Sequence, residues 1–487
     1  MKHRIIITVL LLASSSFARR VPVATYLQIH DACQNALPGD TIIIATGNYT
    51  IEGNNRIMVT ARPGPVLVTG ETGDPRDVTI RGTGMDADIV EMIFNLDNSP
   101  SWTFTGITAR DAYYHAFKFD DSSTDCTIRN VIMLDNGESG VKGTSNNATK
   151  QYPDRLLVEH CVIGYSLATG SDHPQVEGID GVGENDWVIH HNYFMNIQKS
   201  AFDHTAYAVF TKGNSSRTIL DGNRFEDCFI GASFGGGGTG AQFFRDSDQT
   251  YEHRDGIIKN NVIIRCNDAG IYINKGKNCK IYNNTLIQCE LTIQLRFKES
   301  SGDIKNNLVL LSPTNQTEPV IRIRDGATLL GDTANRAAGA EEFFNIIGVS
   351  KSVDAEIRDL SPAVDAGVTV TEVPNDFKGV SRPQGKAYDI GAYEFVSAGI
   401  GERIPANTIL QAVYTSPGVK LRMDLPCHST IDLKLFDALG RETSVIAHGD
   451  FEEGNYKFPL PATISHGAYV AILKYEGTQT IAKIIIQ

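Results

Sequence analysis

Beyond residue 18 the chain has no stretch near the roughly 20 consecutive apolar residues that a membrane-crossing helix needs, and no sustained 3.6-residue apolar period. It is also short of positive charge. Its 44 Lys and Arg stand against 57 Asp and Glu, a formal net charge of −13, which argues against nucleic acid and anionic membrane as partners because both reward basic surfaces. The glycine run Gly235 to Gly238 lacks phosphate-loop spacing and a following Lys-Ser/Thr, so it does not read as a nucleotide site. His190 and His191 have no cysteine or third ligand at metal spacing, and a structural role is favoured over zinc.

What is present begins with an export signal. Lys2, His3 and Arg4 precede an apolar run from Ile5 to Ala13, and Ser16-Phe17-Ala18 places small residues at a cleavage position, so residues 1–18 are expected to be a secretory signal peptide. No cysteine sits beside that position to take a lipid. The mature chain is expected to be exported, without a transmembrane segment, and to act as a monomer.

Eight cysteines in an exported chain raise the question of disulfides. Three of them, Cys228, Cys266 and Cys289, fall in register after asparagines of a repeat, which suits a stack of small buried hydrophobes, and free thiols are favoured over bridges.

That repeat decides the fold class. An apolar residue, two variable residues, asparagine, one variable residue and an apolar residue recur at Ile189/Asn192/Phe194, Leu220/Asn223/Phe225, Ile258/Asn261/Ile263, Ile281/Asn284/Leu286 and Ile304/Asn307/Val309. Short alternating strands at a period of 20 to 25 residues are the mark of a β-solenoid. Asparagine tolerates left-handed backbone and bonds its neighbours, so its recurrence at one corner predicts stacked turns. Thr127/Asn130/Ile132 and Leu157/His160/Val162 extend the pattern backwards, the latter placing histidine in the ladder. Longer steps, such as Asn223 to Asn261, carry loops in which function is expected.

The segment Ala36 to Tyr49, with its Pro38-Gly39-Asp40 turn, apolar strand and Gly47-Asn48-Tyr49 turn, resembles the first coil of pectate-lyase-like right-handed parallel β-helix proteins. Leu360 to Gly367, Asp376 to Gly379 and Asp389 to Glu394 resemble the closing segment of bacterial β-helix surface proteins. The resemblance implies an all-β chain with a β-helix over 25–396, a linker over 397–407 and a small C-terminal β-sandwich over 408–487. In that last part Phe436-Asp437-Ala438-Leu439-Gly440-Arg441 and Gly467 to Leu473 resemble the type IX secretion sorting domain of Bacteroidetes, which implies the type IX machinery as a partner and a secreted or outer-membrane location. A carbohydrate-binding sandwich is the other reading of this tail.

Chemistry is expected between Lys199 and Lys305, where fourteen basic residues meet twelve acidic ones within an otherwise acidic chain. That balance suits an anionic glycan, although a solvated face of strand lysines accounts for any one of them equally well. Phe210 to Cys228, ending at Ser233-Phe234-Gly235, resembles the active-site coil of polysaccharide lyase family six, the alginate lyase and chondroitinase B group. By that resemblance Lys212 takes the place of the catalytic base. Gly235 and Gly236 stand where that family has arginine and histidine, and Thr205 and Tyr207 lie where it carries the glutamates that help bind calcium, the cofactor the resemblance implies.

The chemistry would be β-elimination on a uronate, which needs charge neutralisation at the carboxylate, a base for the C5 proton and an acid for the oxygen leaving C4. Arg245 and Arg254 are candidate neutralisers, His204, Tyr207 and His253 candidate acids, and Arg254, Lys275, Arg217 and Arg296 candidate substrate-binding residues. Each also reads as packing or surface charge. Two other classes stay open: a glycoside hydrolase, for which the carboxylates Asp120-Asp121 are the nearest pair and read better as a turn, and a non-catalytic glycan-binding or adhesin-like protein.

Overall fold

The structure, a computed structural model, describes residues 18–144, 148–199, 206–345, 354–396 and most of 409–486. The bulk of the expected signal peptide, the expected linker, Phe202 to Thr205 with His204 among them, and Ala438 to Arg441 lie outside the described residues. The chain divides between Phe395 and Val396 into two compact units.

The first unit is a stack of parallel coils. One face is a ten-stranded parallel sheet, to which successive coils contribute β1 (Ile57–Thr60), β2 (Met92–Asp97), β3 (His115–Asp120), β4 (Ser139–Thr144), β5 (Val176–Val182), β6 (Ala206–Lys212), β7 (Ile230–Phe234), β8 (Ala269–Asn274), β9 (Leu291–Arg296) and β10 (Ile321–Arg324). The other face is a 21-stranded sheet of shorter strands that bends at the asparagine corner. The first coil starts at Arg20–Val23, ahead of the expected boundary at residue 25, because this strand pairs in parallel with Thr41–Ile44. A helix at Tyr26–Gln34 precedes the second coil. Its Thr25 cap accepts from the Gln28 amide, and Tyr26, Ile29 and Cys33, spaced for one helical face, are its buried residues.

The ladder joins Asn192, Asn223, Asn261, Asn284, Asn307 and Asn335. From Asn223 onwards each side-chain oxygen accepts from the backbone N–H of the asparagine one coil before, and each Nδ2 from Asn192 to Asn307 donates to the next Oδ1, at 2.8–3.0 Å. Every buried amide of the corner is thereby paired, which removes a desolvation cost of about 1–3 kcal/mol per group.

Two expected members are displaced by one residue. Val158 pairs with Ile189, so the ladder position of that coil belongs to Cys161, whose amide bonds Asn192 Oδ1. His160 and Asn130 occupy the left-handed position just before it, at φ 54° and 52°. The sequence pattern alone cannot separate the two because both positions favour asparagine. The described cysteines, Cys228, Cys266 and Cys289 among them, are all free and buried, as the stacking pattern predicted.

Inside the coils the core is aliphatic with aromatic stacks such as Phe94 on Phe117 and Phe194 on Phe225, with ring centroids 5.0 and 4.7 Å apart. The closing segment runs along the asparagine corner: Asn283 Nδ2 donates to Asp389 O, Asn306 Nδ2 to Val368 O, and the buried Arg382–Glu394 pair ties its turns together. The second unit has two antiparallel sheets sharing one apolar cluster around Leu421, Met423, Leu433 and Leu473.

Candidate active site

The strands of the long sheet share a local pattern visible once they are aligned by register: His115-Ala-Phe-Lys118, Ser139-Gly-Val-Lys142, Glu177-Gly-Ile-Asp180, Tyr207-Ala-Val-Phe210, Ala269-Gly-Ile-Tyr272. The second place is small because it points inwards at a bend. A Cβ on Gly140 would lie 2.7 Å from Ile163 Cγ2, and one on Gly178 2.3 Å from Ala208 O. The first and fourth places face outwards and align in columns, so polar residues far apart in sequence stack at the spacing of about 4.8 Å between neighbouring strands.

The fourth place holds Lys142 on β4 and Asp180 on β5, and Lys212, two residues beyond the fourth place of β6, reaches the same carboxylate. Asp180 is fully buried; Lys142 Nζ bonds its Oδ2 and Lys212 Nζ lies 3.6 Å from the same oxygen, while Oδ1 has no hydrogen-bond partner among the described residues. Lys212 Nζ also sits 4.2 Å over the Phe210 ring, which stacks on Tyr207 at 4.6 Å. Beside this trio stand Glu177 and His115, whose Nδ1 is 2.9 Å from Ser139 Oγ. Upstream on the same face Lys118 pairs with Asp120 at 3.1 Å, and Asn95 Nδ2 donates to that carboxylate.

Burial and neighbouring charge set the protonation of these groups. Burial and then the Asp180 charge raise the pKa of Glu177 well above the carboxylate range, so it keeps its proton. Burial would strip Lys142 of its charge, yet the Asp180 carboxylate outweighs it and holds its pKa above the ordinary value. His115 is lowered well below 6.5 by burial and by Lys142, and is neutral. Burial raises the phenol of Tyr207, which holds its proton too. The face thus presents a fixed cation, a second lysine and two proton-bearing groups within three adjacent strands.

Two walls flank it. At the C-terminal edge Arg245 grips both oxygens of Asp154 at 2.6 and 2.9 Å and lies over Tyr152, tying the loop after β7 to the loop after β4. At the N-terminal edge His173 bonds Met85 O at 2.8 Å and packs against Tyr113.

Of the candidates read from sequence, Lys212 and Tyr207 lie together on this face, and Arg296 lies on it three strands further along. Arg245 is engaged with Asp154 as a wall brace. His253 is fully buried behind the sheet, stacked on Phe234 at 4.1 Å with Nε2 2.9 Å from Thr218 Oγ1, and its pKa is lowered to about 3 by burial and Arg217. Arg217 is paired bidentately with Asp186, and Arg254 is half-exposed near Asp246. Lys275 occupies the turn after β8 at φ 56°. Much of the local basic balance is spread over the other face, where Lys259 pairs with Asp221 and Arg265 with Asp227.

Gly235 is a packing requirement: at φ +77°, its Cβ would lie 1.8 Å from Asn274 O, and one on Gly236 2.5 Å from the Phe210 ring. No arginine or histidine fits there. Lys142, Asp180, Glu177 and His115 were missed in the sequence; the small-residue pattern above is the signal that would have found them. Among the described residues no group of three or more His, Cys, Asp and Glu converges on a metal position. Of the two buried carboxyls of the site, Asp180 is shared by two lysines and Glu177 keeps its proton, so the described residues of this face do not fit calcium.

Residues 92–309 match the family model described as right handed beta helix region. The first unit is a right-handed parallel β-helix. No curated protein matches the chain in sequence. Among solved structures, it is similar to the pectate lyase Pel9A (16% identity, TM-score 0.48, covering 78% of this chain and 97% of that one). It is also similar to an alginate lyase from Paenibacillus sp. str. FPU-7 (16%, 0.37, 63% and 98%) and to the PL6 family polysaccharide lyase Pedsa3628 from Pseudopedobacter saltans (12%, 0.34, 67% and 79%).

Proposed function

We propose that this chain is a carbon–oxygen lyase that β-eliminates uronate glycans on the outward face of the long sheet. The observation that carries the reading is the Lys142–Asp180–Lys212 trio beside a carboxyl and a phenol that keep their protons. Lys142, held as an ammonium, neutralises the substrate carboxylate as charge builds on it. Lys212, in its amine form, takes the C5 proton. The C5 electron pair forms the C4–C5 double bond, the C4–O bond breaks, and the leaving oxygen receives a proton from Tyr207 or Glu177.

The leaving group is either a sugar, giving chain cleavage, or a hydroxyl at the non-reducing end, giving dehydration. The braced walls at both edges of the face favour short oligosaccharides over internal cuts in polymer. Export to the cell surface through the C-terminal unit, acting as a type IX sorting domain, belongs to the same reading.

The test is incubation with a panel of uronate glycans, followed by ultraviolet absorbance of the conjugated unsaturated product and mass spectrometry. Products one water lighter than the intact oligosaccharide mean dehydration, and shorter unsaturated fragments mean cleavage. Absence of any unsaturated product across the panel overturns the reading.

A further inference from the structure

The outward columns change character along the solenoid. On β2 and β3 they carry Asn95, Asp97, Lys118 and Asp120; on β8 to β10 they carry Tyr272, Asn274, Gln294, Arg296, Arg322 and Arg324. Within these last three strands the outward charges are all arginine. Arg296 and Arg324 are in register on adjacent strands, in the column that continues from Lys212, and Arg322 shares its strand with Arg324.

Two of these arginines have acidic partners. Asp325 takes the Nε edge of Arg296 at 2.6 Å, and Glu318 bonds one Nη of Arg322 at 3.0 Å. Arg324 is exposed and reaches the neutral Gln294 at 3.4 Å. Guanidinium groups offer paired N–H donors that match carboxylate and sulfate oxygens. Tyr272 and Asn274, bonded to each other at 3.3 Å, line the approach with neutral hydrogen-bonding groups.

We infer that Arg296, Arg324 and Arg322 form a remote oxyanion subsite, so that an anionic oligosaccharide lies along the solenoid axis with one charged sugar at Lys212 and another on these arginines. The inference rests on the reading of the Lys212 face as the reaction centre. Three to four strand spacings separate the two, about 14 to 19 Å, so the subsite engages only substrates several sugars long. A disaccharide cannot reach it.

The experiment compares the full chain with its Arg296→Ala/Arg324→Ala variant, and with Arg324→Ala alone, on uronate oligosaccharides from di- to hexasaccharide, with and without sulfate. Wild type is expected to gain in kcat/KM with length. The double variant should lose that gain through a rise in KM of roughly tenfold on the longer substrates, the effect of removing two partly exposed ion pairs, with kcat and the disaccharide unchanged. A loss confined to sulfated or to unsulfated substrates names the oxyanion. An unchanged length dependence, or an equal loss on the disaccharide, overturns the subsite. If wild type eliminates nothing, the reaction reading fails separately, and calorimetric binding of the same hexasaccharides decides the subsite: weaker binding to the variant supports it and equal binding overturns it.

Discussion

Lys212 Nζ lies 3.6 Å from Oδ2 of Asp180, an oxygen that Lys142 reaches from the strand on the opposite side. Two lysines thereby share one buried carboxylate on the face proposed for the reaction. Such sharing also ties reaction and stability together, because the same atoms serve both.

Lys212→Ala is expected to abolish turnover while the chain stays folded. The side chain lies on the outer face over Phe210 and contributes nothing to the aliphatic core, whereas a positioned base is worth roughly 10²- to 10⁴-fold in rate. Circular dichroism should match wild type. Retention of more than about a tenth of wild-type kcat removes Lys212 from the role of base.

Asp180→Ala should cost both activity and stability. It leaves Lys142, nearly as buried, without its counter-ion, and stranding one member of a buried pair typically costs about 3–5 kcal/mol. Lys142→Met should be milder in denaturation, since Lys212 remains for Asp180, yet equally inactive. Equal stability of Asp180→Ala and wild type in urea titration contradicts the pairing.

The solenoid was legible in the sequence because its corner repeats one residue type, and the asparagine spacing survived loops of different length. The strand-end position of Lys212 was legible because it falls within one continuous resemblance. Its partners were not, since Lys142 and Asp180 are 38 residues apart and only strand register makes them neighbours. The surroundings of His253 and Arg245 were hidden for a related reason: a polar residue in a loop looks available in sequence, while here one is buried on Phe234 and the other pairs with Asp154.

Asn261→Ala should destabilise the first unit more than an ordinary surface change. The substitution removes the acceptor for the Asn223 amide and side chain and the donor to Leu220 O, all buried. With about 1–3 kcal/mol for each unsatisfied group, a loss of at least about 3 kcal/mol is expected from chemical denaturation. A loss below about 1 kcal/mol would mean that the ladder is decoration.

A chain ending near Ile400 is expected to fold and to keep the activity of the full chain, because the first unit has its own core and all the residues of the trio. Loss of activity in a folded truncation would instead favour a substrate-binding tail.

Stability should peak in mildly acidic solution. Glu184 is buried behind the sheet, and burial, helped by the Asp154 charge, raises its pKa from 4.5 to about 8 against the hydrogen bonds of Thr218, at 2.9 Å, and Ser215 and the charge of Arg245. A carboxyl raised in the folded state gives stability that is full below pH 4.5 and is lost as pH climbs through 8. Glu177 acts in the same direction. The histidines oppose them: His253, lowered from 6.5 to about 3, gives stability that is full above pH 6.5 and is lost as pH falls towards 3, and His115 follows it. Between pH 4.5 and 6.5 the two trends offset, so the unfolding free energy should be flat there, then fall on both sides by up to about 1.4 kcal/mol per pH unit for each group titrating. Glu184→Gln should lessen the alkaline fall and leave the acid limb alone. Urea titrations across the range check both limbs, and a free energy still rising from pH 6.5 to 8 would show that Glu184 and Glu177 are ionised in the folded chain.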